Sequence, residues 1–314
     1  MFCFPAQHKK TTLQRSGMAE KQYTNNIRKG VADKKISEGR GPVIQAVLDS
    51  PAGWSGIKHR IDWKYITAPT VLVDEPHYHD FDELIIIQGN NPADYRDFDA
   101  EVEITLGEEG EKHIITGTTL LCLPKGLVHG PIKFTRVGKP VVFVVYQMAP
   151  DYERKPAKIS EKPQPQGVTK YGRYVVREPR GQDPFNTPTQ VWGVSINEKT
   201  LATVGKIECN SNCMGITGTQ MLTDPPHDHK FDEILFLIPA DYKNWPELGA
   251  EMEIAIGSEW ERHTITTAAV ICLPAGTSHC PVYMKKVDKP FYWGHIVPEY
   301  AYGYADPDKQ VPGT

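Results

Sequence analysis

The chain carries two copies of one segment. His77, His79, Phe81, Asp82 and Glu83 recur as His227, His229, Phe231, Asp232 and Glu233, and Leu123, Pro124, Gly126, His129 and Pro131 recur as Leu273, Pro274, Gly276, His279 and Pro281, all 150 residues apart. An ungapped overlay of 74–140 on 224–290 gives 26 identities in 67 positions, where chance would give a few. A period this long is a whole domain, well above the roughly 20–50 residues of a solenoid repeat. The fold must therefore close within one copy and be built twice. The register slips once: Pro92-Ala93-Asp94-Tyr95 answers to Pro239-Ala240-Asp241-Tyr242 three residues out of step, and Ala100 and Ala250 restore it. Compensating insertions of this kind are expected in a surface loop.

The repeat sets the expected boundaries: an N-terminal arm over 1–50, a first unit over 51–150, a Pro-rich connector over 151–190 and a second unit over 191–314. Met18 reads as a second start, with 1–17 a poorly ordered extension. Within the units, 83–87 and 233–238 are unbroken apolar runs of buried-strand length. Segments 101–107 and 251–257 alternate polar and apolar residues and end at Gly, as half-buried strands do. Segments 118–123 and 270–273 stop at Pro, which cannot donate to a ladder. Segment 140–146 is β-branched and aromatic, 171–178 reads as a further strand, and 19–50 as polar and partly helical. No helical period competes across 70–147 or 217–297, so the reading is all-β, a sandwich or barrel present twice.

Composition removes several function classes. A net charge of -4 leaves no basic excess for nucleic acid. No run of 18 apolar residues exists, the apolar run at residues 1–6 is too short for an expected signal peptide, and a cytoplasmic protein is expected. Six cysteines do not make a disulfide framework; Cys209 and Cys213 form the one close pair, and Cys122 and Cys272 sit in apolar runs as small hydrophobes. No dinucleotide, phosphate-loop or nucleophile-elbow motif is present.

The repeated polar residues are of metal-ligand type. On an extended chain His77 and His79 share a face, and Glu83 has the same parity. His129 arrives from a distant Pro-x-Gly turn. Three imidazoles and one carboxylate suit Fe(II), Mn(II), Ni(II), Zn(II) or Co(II). His227, His229, Glu233 and His279 repeat the set. With a divalent ion each site carries net charge +1, which invites an anionic substrate oxygen.

His77–Glu83 with Gly89, and Gly117 through Pro124, Gly126 and His129, resemble the two motifs of the cupin superfamily. The second copy repeats them, so the whole resembles a bicupin. The resemblance implies a double-stranded β-helix (jelly-roll-like) barrel in each half, with a metal ion held by His77, His79, Glu83 and His129, and by His227, His229, Glu233 and His279. Pro239, Thr267 and Cys280 stand where the first copy has Gly89, Gly117 and Gly130. These departures touch turns and leave the ligand set intact.

The function expected first is an Fe(II) dioxygenase acting on a small enol, dicarbonyl or catechol-like molecule, with Glu83 or Glu233 leaving the metal to take a proton. The alternative is a redox-neutral decarboxylase, lyase or isomerase using Mn(II), Ni(II) or Zn(II). A non-catalytic binding bicupin comes third. The expected partner is a small-molecule substrate, without nucleic acid or membrane, in a possible homo-oligomer. Around the ligands, Glu101 and Glu103 are candidates to orient the imidazoles, against a plain solvated strand face. His113 and His263 are expected in a structural role, and Asp82 and Asp232 to point away. Tyr78 and Asp228 differ between copies and suit no shared role. Trp54, Trp192, Trp245, Trp260 and Trp293 either wall a pocket or fill core, with core preferred; His295 faces the second interior.

Overall fold

The computed structural model describes residues 21–30, 43–46, 56–160, 169–179, 181, 187–205, 207–222 and 224–305. The 1–17 extension and Trp54 lie outside the described residues. Each unit is a barrel of two antiparallel sheets. In the first, one sheet runs in spatial order Val175–Arg177, Thr119–Leu123, Glu83–Gly89, Val141–Gln147, Arg60–Ile66 and Val43–Ala46. The facing sheet runs Lys155–Pro156, His77–Tyr78, His129–Val137, Ala100–Leu106 and Glu111–Ile115, with Thr70–Val73 also on His129–Val137. The second unit repeats the plan: Ile27–Lys29, Ala269–Leu273, Glu233–Pro239, Phe291–Val297, Asn210–Ile216 and Gln190–Ile196 face Gln220–Leu222, His279–Val287, Glu247–Ile256 and Glu261–Thr267. This is the all-β, double-barrel architecture read from the repeat.

The unbroken apolar runs have a physical cause. Strand Glu83–Gly89 is buried along its whole length because both its faces are covered. Ile85 and Ile87 point into the first barrel with Val102, Ile104 and Phe134, while Leu84 and Ile86 join a core shared with the second unit. Leu235 and Leu237 likewise fill the second barrel, and Ile234, Phe236 and Ile238 meet the shared core. The two barrels therefore stack back to back. Burying both faces of a strand leaves no position for a polar residue, so period two disappears. The half-buried strands Ala100–Leu106 and Glu111–Ile115 keep it.

The loop that carries the register slip is not a free surface loop. Ala93, Asp94 and Arg96 are exposed, but Pro92 and Tyr95 are buried, and Asn90 Nδ2 donates to the Ala240 carbonyl at 2.7 Å. A Cβ on Gly215 would stand 1.7 Å from the Pro92 carbonyl oxygen, so only glycine admits this approach of one unit to the other. The insertion adapts one barrel to its neighbour.

Arm and connector supply edge strands. Ile27–Lys29 pairs with Ala269–Leu273 of the second barrel, and Val175–Arg177 pairs with Thr119–Leu123 of the first. Each covers an edge that would otherwise stay unpaired. Paired glutamates hold them: Glu261 accepts the Gln22 and Tyr23 N–H groups, and Glu111 those of Lys170 and Tyr171. His113 and His263 stand 2.9 and 2.6 Å from these same carboxylates, which gives the second histidine pair its structural role. A helix of nearly two turns, Glu198–Val204, is capped by Asn197 and packs Leu201 and Val204 into the shared core. No helix among the described residues is long and apolar enough to cross a membrane.

Candidate metal centre

Each barrel gathers three histidines and one glutamate inside it. The short strand His77–Tyr78 is extended, so His77 and His79 face the same way. Glu83 opens its strand on the inward parity shared with Ile85 and Ile87. His129 opens strand His129–Val137 after a turn tied three times: Leu127 N–H to Pro124 O at 2.9 Å, Gly126 N–H to His79 O at 2.9 Å, and Lys125 N–H to Asp82 Oδ1 at 2.6 Å. The second copy repeats these ties at Thr277, Gly276 and Ala275, with Asp232 Oδ1 accepting at 3.0 Å. Asp82 and Asp232 do point away from the interior, and they staple the turn that aims the last histidine.

The ligand-type atoms converge. One nitrogen from each of His77, His79 and His129 lies within 4.8 Å of the others, and the same holds for His227, His229 and His279. Glu83 Oε2 is 3.8 Å from His79 Nε2 and 3.4 Å from His129 Nε2. Glu233 Oε2 is 3.4 Å from His229 Nε2 and 3.0 Å from His279 Nε2. All eight residues are buried.

The six imidazoles are held in one tautomer. The Nδ1 atoms of His77, His79 and His129 lie 3.1, 2.5 and 2.9 Å from the carbonyls of Glu75, Glu153 and Leu127. Those of His227, His229 and His279 lie 2.7, 2.8 and 3.0 Å from Pro225, Gly303 and Thr277 carbonyls. A carbonyl only accepts, so each Nδ1 carries the proton and each neutral ring turns a bare Nε2 inward. His79, His227 and His229 Nε2 and Glu233 Oε2 are buried without hydrogen-bond partners. One of these atoms belongs to the first barrel and three to the second; a buried unpaired acceptor is costly, and a divalent cation is the group that such converging acceptors fit. The orienting partners are main-chain carbonyls. Glu101 instead accepts from Thr135 and Glu103 pairs with Lys112, so neither reaches the imidazoles.

Electrostatics follow from burial. Desolvation lowers His77 to about 4, with help from His129, and His227 to about 3, with help from His279. His79 is also lowered by burial. His279 goes the other way: burial opposes its charged form, but the Glu233 carboxylate outweighs it and raises the ring. Burial alone would raise Glu83 and Glu233; their imidazole neighbours outweigh it and hold both below the usual carboxylate range.

A segment after each barrel crosses the site, and sequence reasoning missed it. Tyr152 lies 5.1 Å from the His79 ring, centroid to centroid, and Arg154 stacks on Tyr152 at 5.1 Å. In the second copy Tyr302 lies 4.9 Å from His229 and donates to Glu233 Oε1 at 3.3 Å. Tyr304 stacks on His227 at 4.1 Å and donates to Asp224 at 3.4 Å. Tyr152 and Tyr302 are again 150 residues apart, a signal that continuing the overlay past 140 would have found. His295, read as facing the second interior, stacks on Tyr302 at 4.6 Å, and burial lowers it to about 4. Of the tryptophans, Trp293 is buried in the second barrel with Trp192 packed against it, Trp245 borders the shared core, and Trp260 is 49% exposed. Cys209 and Cys213 are free buried thiols of the shared core.

No protein-family model and no curated protein matches this chain. Solved structures do. A structure described by an element that modulates proton-coupled electron transfer in oxalate decarboxylase aligns over 85% of this chain and 75% of its own, with a TM-score of 0.55 and 12% identity. A second, concerned with the Mn(II) centres of Bacillus subtilis oxalate decarboxylase, aligns over 80% and 72%, with a TM-score of 0.54 and 12% identity. A third, the Bacillus subtilis oxalate decarboxylase at pH 4.6, gives 0.53 and 12% over 80% and 71%. At this identity the likeness establishes a shared all-β fold.

Proposed function

We propose that this chain is a metal-dependent enzyme that performs redox-neutral chemistry, decarboxylation foremost, on a small oxygenated anion. One divalent ion would sit in each barrel, on His77, His79, Glu83 and His129 and on His227, His229, Glu233 and His279. The observation that carries this reading is the set of six imidazoles locked by main-chain carbonyls, four of them with Nε2 within 4 Å of a buried carboxylate. The bound ion supplies Lewis acidity toward a substrate oxygen. The chain supplies the rest. The carbonyl locks fix ring orientation, and the apolar barrel wall excludes water. Glu83 and Glu233, kept ionised by their neighbours, are placed to accept a proton from substrate.

The sequence put an Fe(II) dioxygenase first, and the donor set suits that metal equally. The order is reversed here because the similar solved structures named above are of oxalate decarboxylase, one of them described for its Mn(II) centres. Identical donor sets host several chemistries, so the test must be chemical. Protein purified without chelator is analysed for metals, reloaded with Mn(II), and assayed with a panel of small carboxylic and dicarbonyl acids while CO2 and O2 are both followed. CO2 release without stoichiometric O2 uptake is expected. One O2 consumed per turnover, with iron the only supporting metal, returns the dioxygenase to first place.

A further inference from the structure

The two sites share every ligand-type residue, yet the segment over each differs in one decisive position. Residues 152–154 and 302–304 cross their sites in the same way, because His79 donates to the Glu153 carbonyl and His229 to the equivalent Gly303 carbonyl. Residues on either side of that carbonyl therefore flank the histidines. In the second copy both flanking residues are tyrosines: Tyr304 stacks on His227, and Tyr302 lies tilted against His229 as Tyr152 does against His79. In the first copy they are Tyr152 and Arg154, and both are exposed.

We infer that Arg154 and Tyr304, the same position in the two copies, make the sites unlike in what they admit: the first takes a carboxylate anion, paired by Arg154, and the second is roofed against one by Tyr302 and Tyr304. This deepens the proposed function and rests on it.

Charge and hydrogen bonding support the assignment. A divalent ion with Glu83 carries +1, and Arg154 brings the first site to +2. A divalent ion with Glu233 also carries +1, but Asp224 is half-buried beside that site and accepts the Tyr304 hydroxyl, whereas its counterpart Asp74 is exposed to solvent. An anion therefore gains more at the first site. Arg154 is also oriented without being used up. Its Nε donates to the Tyr152 hydroxyl, and its face rests on the Tyr152 ring. Among the described residues it has no carboxylate partner, so its terminal nitrogens keep the fork that matches a carboxylate. At the second site the tyrosine hydroxyls are committed to Glu233 and Asp224, and the rings cover His229 and His227.

The test uses full-length Mn(II)-loaded protein and oxalate as probe, read by Mn(II) electron paramagnetic resonance and by metal content after desalting. Oxalate is expected to perturb the Mn(II) signal of wild type and of H229A, and to leave that of H79A unchanged. R154Q is expected to keep wild-type Mn(II) content and bind oxalate about tenfold to a hundredfold more weakly, the scale of one charge-assisted carboxylate pair. R154K recovers part of the loss, and Y304F leaves oxalate binding as it was. Oxalate binding by R154Q at wild-type strength overturns the inference, as does a response in H79A but not in H229A. A wild-type protein that holds no Mn(II) overturns the metal reading and this inference together, whereas full Mn(II) content with unaltered R154Q overturns this inference alone.

Discussion

Replacing Asp82 by alanine removes one of three ties on the turn that aims His129. The carboxylate accepts the Lys125 N–H at 2.6 Å, while the Leu127 and Gly126 ties survive. The bond lies at the surface, so water can replace it at Lys125. Its closest calibrated analogue is a helix N-cap carboxylate, worth about 1 kcal/mol. Burial of Asp82 reduces even that. Desolvation pushes its carboxyl up, more than the Lys125 N–H pulls it down, so the ionised form costs stability above its folded pKa and that cost disappears in the alanine variant. The net loss of global stability is therefore expected at no more than about 1 kcal/mol. The effect on the site is larger. Leu127, inside the loosened turn, supplies the carbonyl that locks His129 Nδ1 at 2.9 Å. Losing support for one ligand's orientation is expected to weaken metal binding about tenfold to a hundredfold. Urea unfolding of metal-free protein measures the first number, and chelator competition with Mn(II) the second. Asp82→Asn keeps an accepting oxygen and should restore most of the affinity. Asp232→Ala should reproduce the loss at the second site only. Unchanged affinity in Asp82→Ala, or a stability loss above about 3 kcal/mol, refutes the staple.

Gly130 follows His129 with φ of +87°, and a Cβ there would stand 3.0 Å from the Glu75 carbonyl, the lock of His77. Gly130→Ala should therefore cost about 1–2 kcal/mol in urea unfolding, from the left-handed backbone alone. Cys280, a core side chain, holds the same place in the second copy at φ +72°, so Cys280→Gly should lower the unfolding midpoint less than Cys280→Ala, because glycine alone relieves the left-handed backbone. Acid should destabilise the metal-free protein: His77, His79, His227 and His295 are lowered by burial, so below the ordinary histidine range the unfolded chain binds protons that the folded chain refuses. His279, raised by Glu233, acts in the opposite sense and is outnumbered; a denaturation midpoint flat between pH 7 and 5 contradicts this. Glu111→Ala frees the Lys170 and Tyr171 N–H groups and should speed tryptic cleavage at Lys170, with cleavage elsewhere unchanged.

The sequence by itself determined the barrel count and the ligand set. A repeat fixes architecture because equal sequences fold alike, and His-x-His on an extended chain fixes a shared face whatever surrounds it. Local chemistry of that kind also carried the strand runs and the Pro-x-Gly turn. The partners of those residues were another matter. The imidazole locks are main-chain carbonyls, and every residue has a carbonyl, so no side-chain pattern marks Glu153 or Gly303 as the one that meets a histidine. The register slip read as surface because insertions usually are; that Pro92 lies against Gly215 depends on how two barrels stack. Arg154 fell in the connector and Tyr304 in the second unit, neither with a signal that tied it to a site. Only the tertiary structure brings them over the histidines, because a contact across some 75 residues of chain is set by the return path of the backbone and by the packing of both barrels. The sequence thus supplied both the equal ligand sets and the Arg154/Tyr304 difference, and the fold alone decided that this difference falls beside the sites.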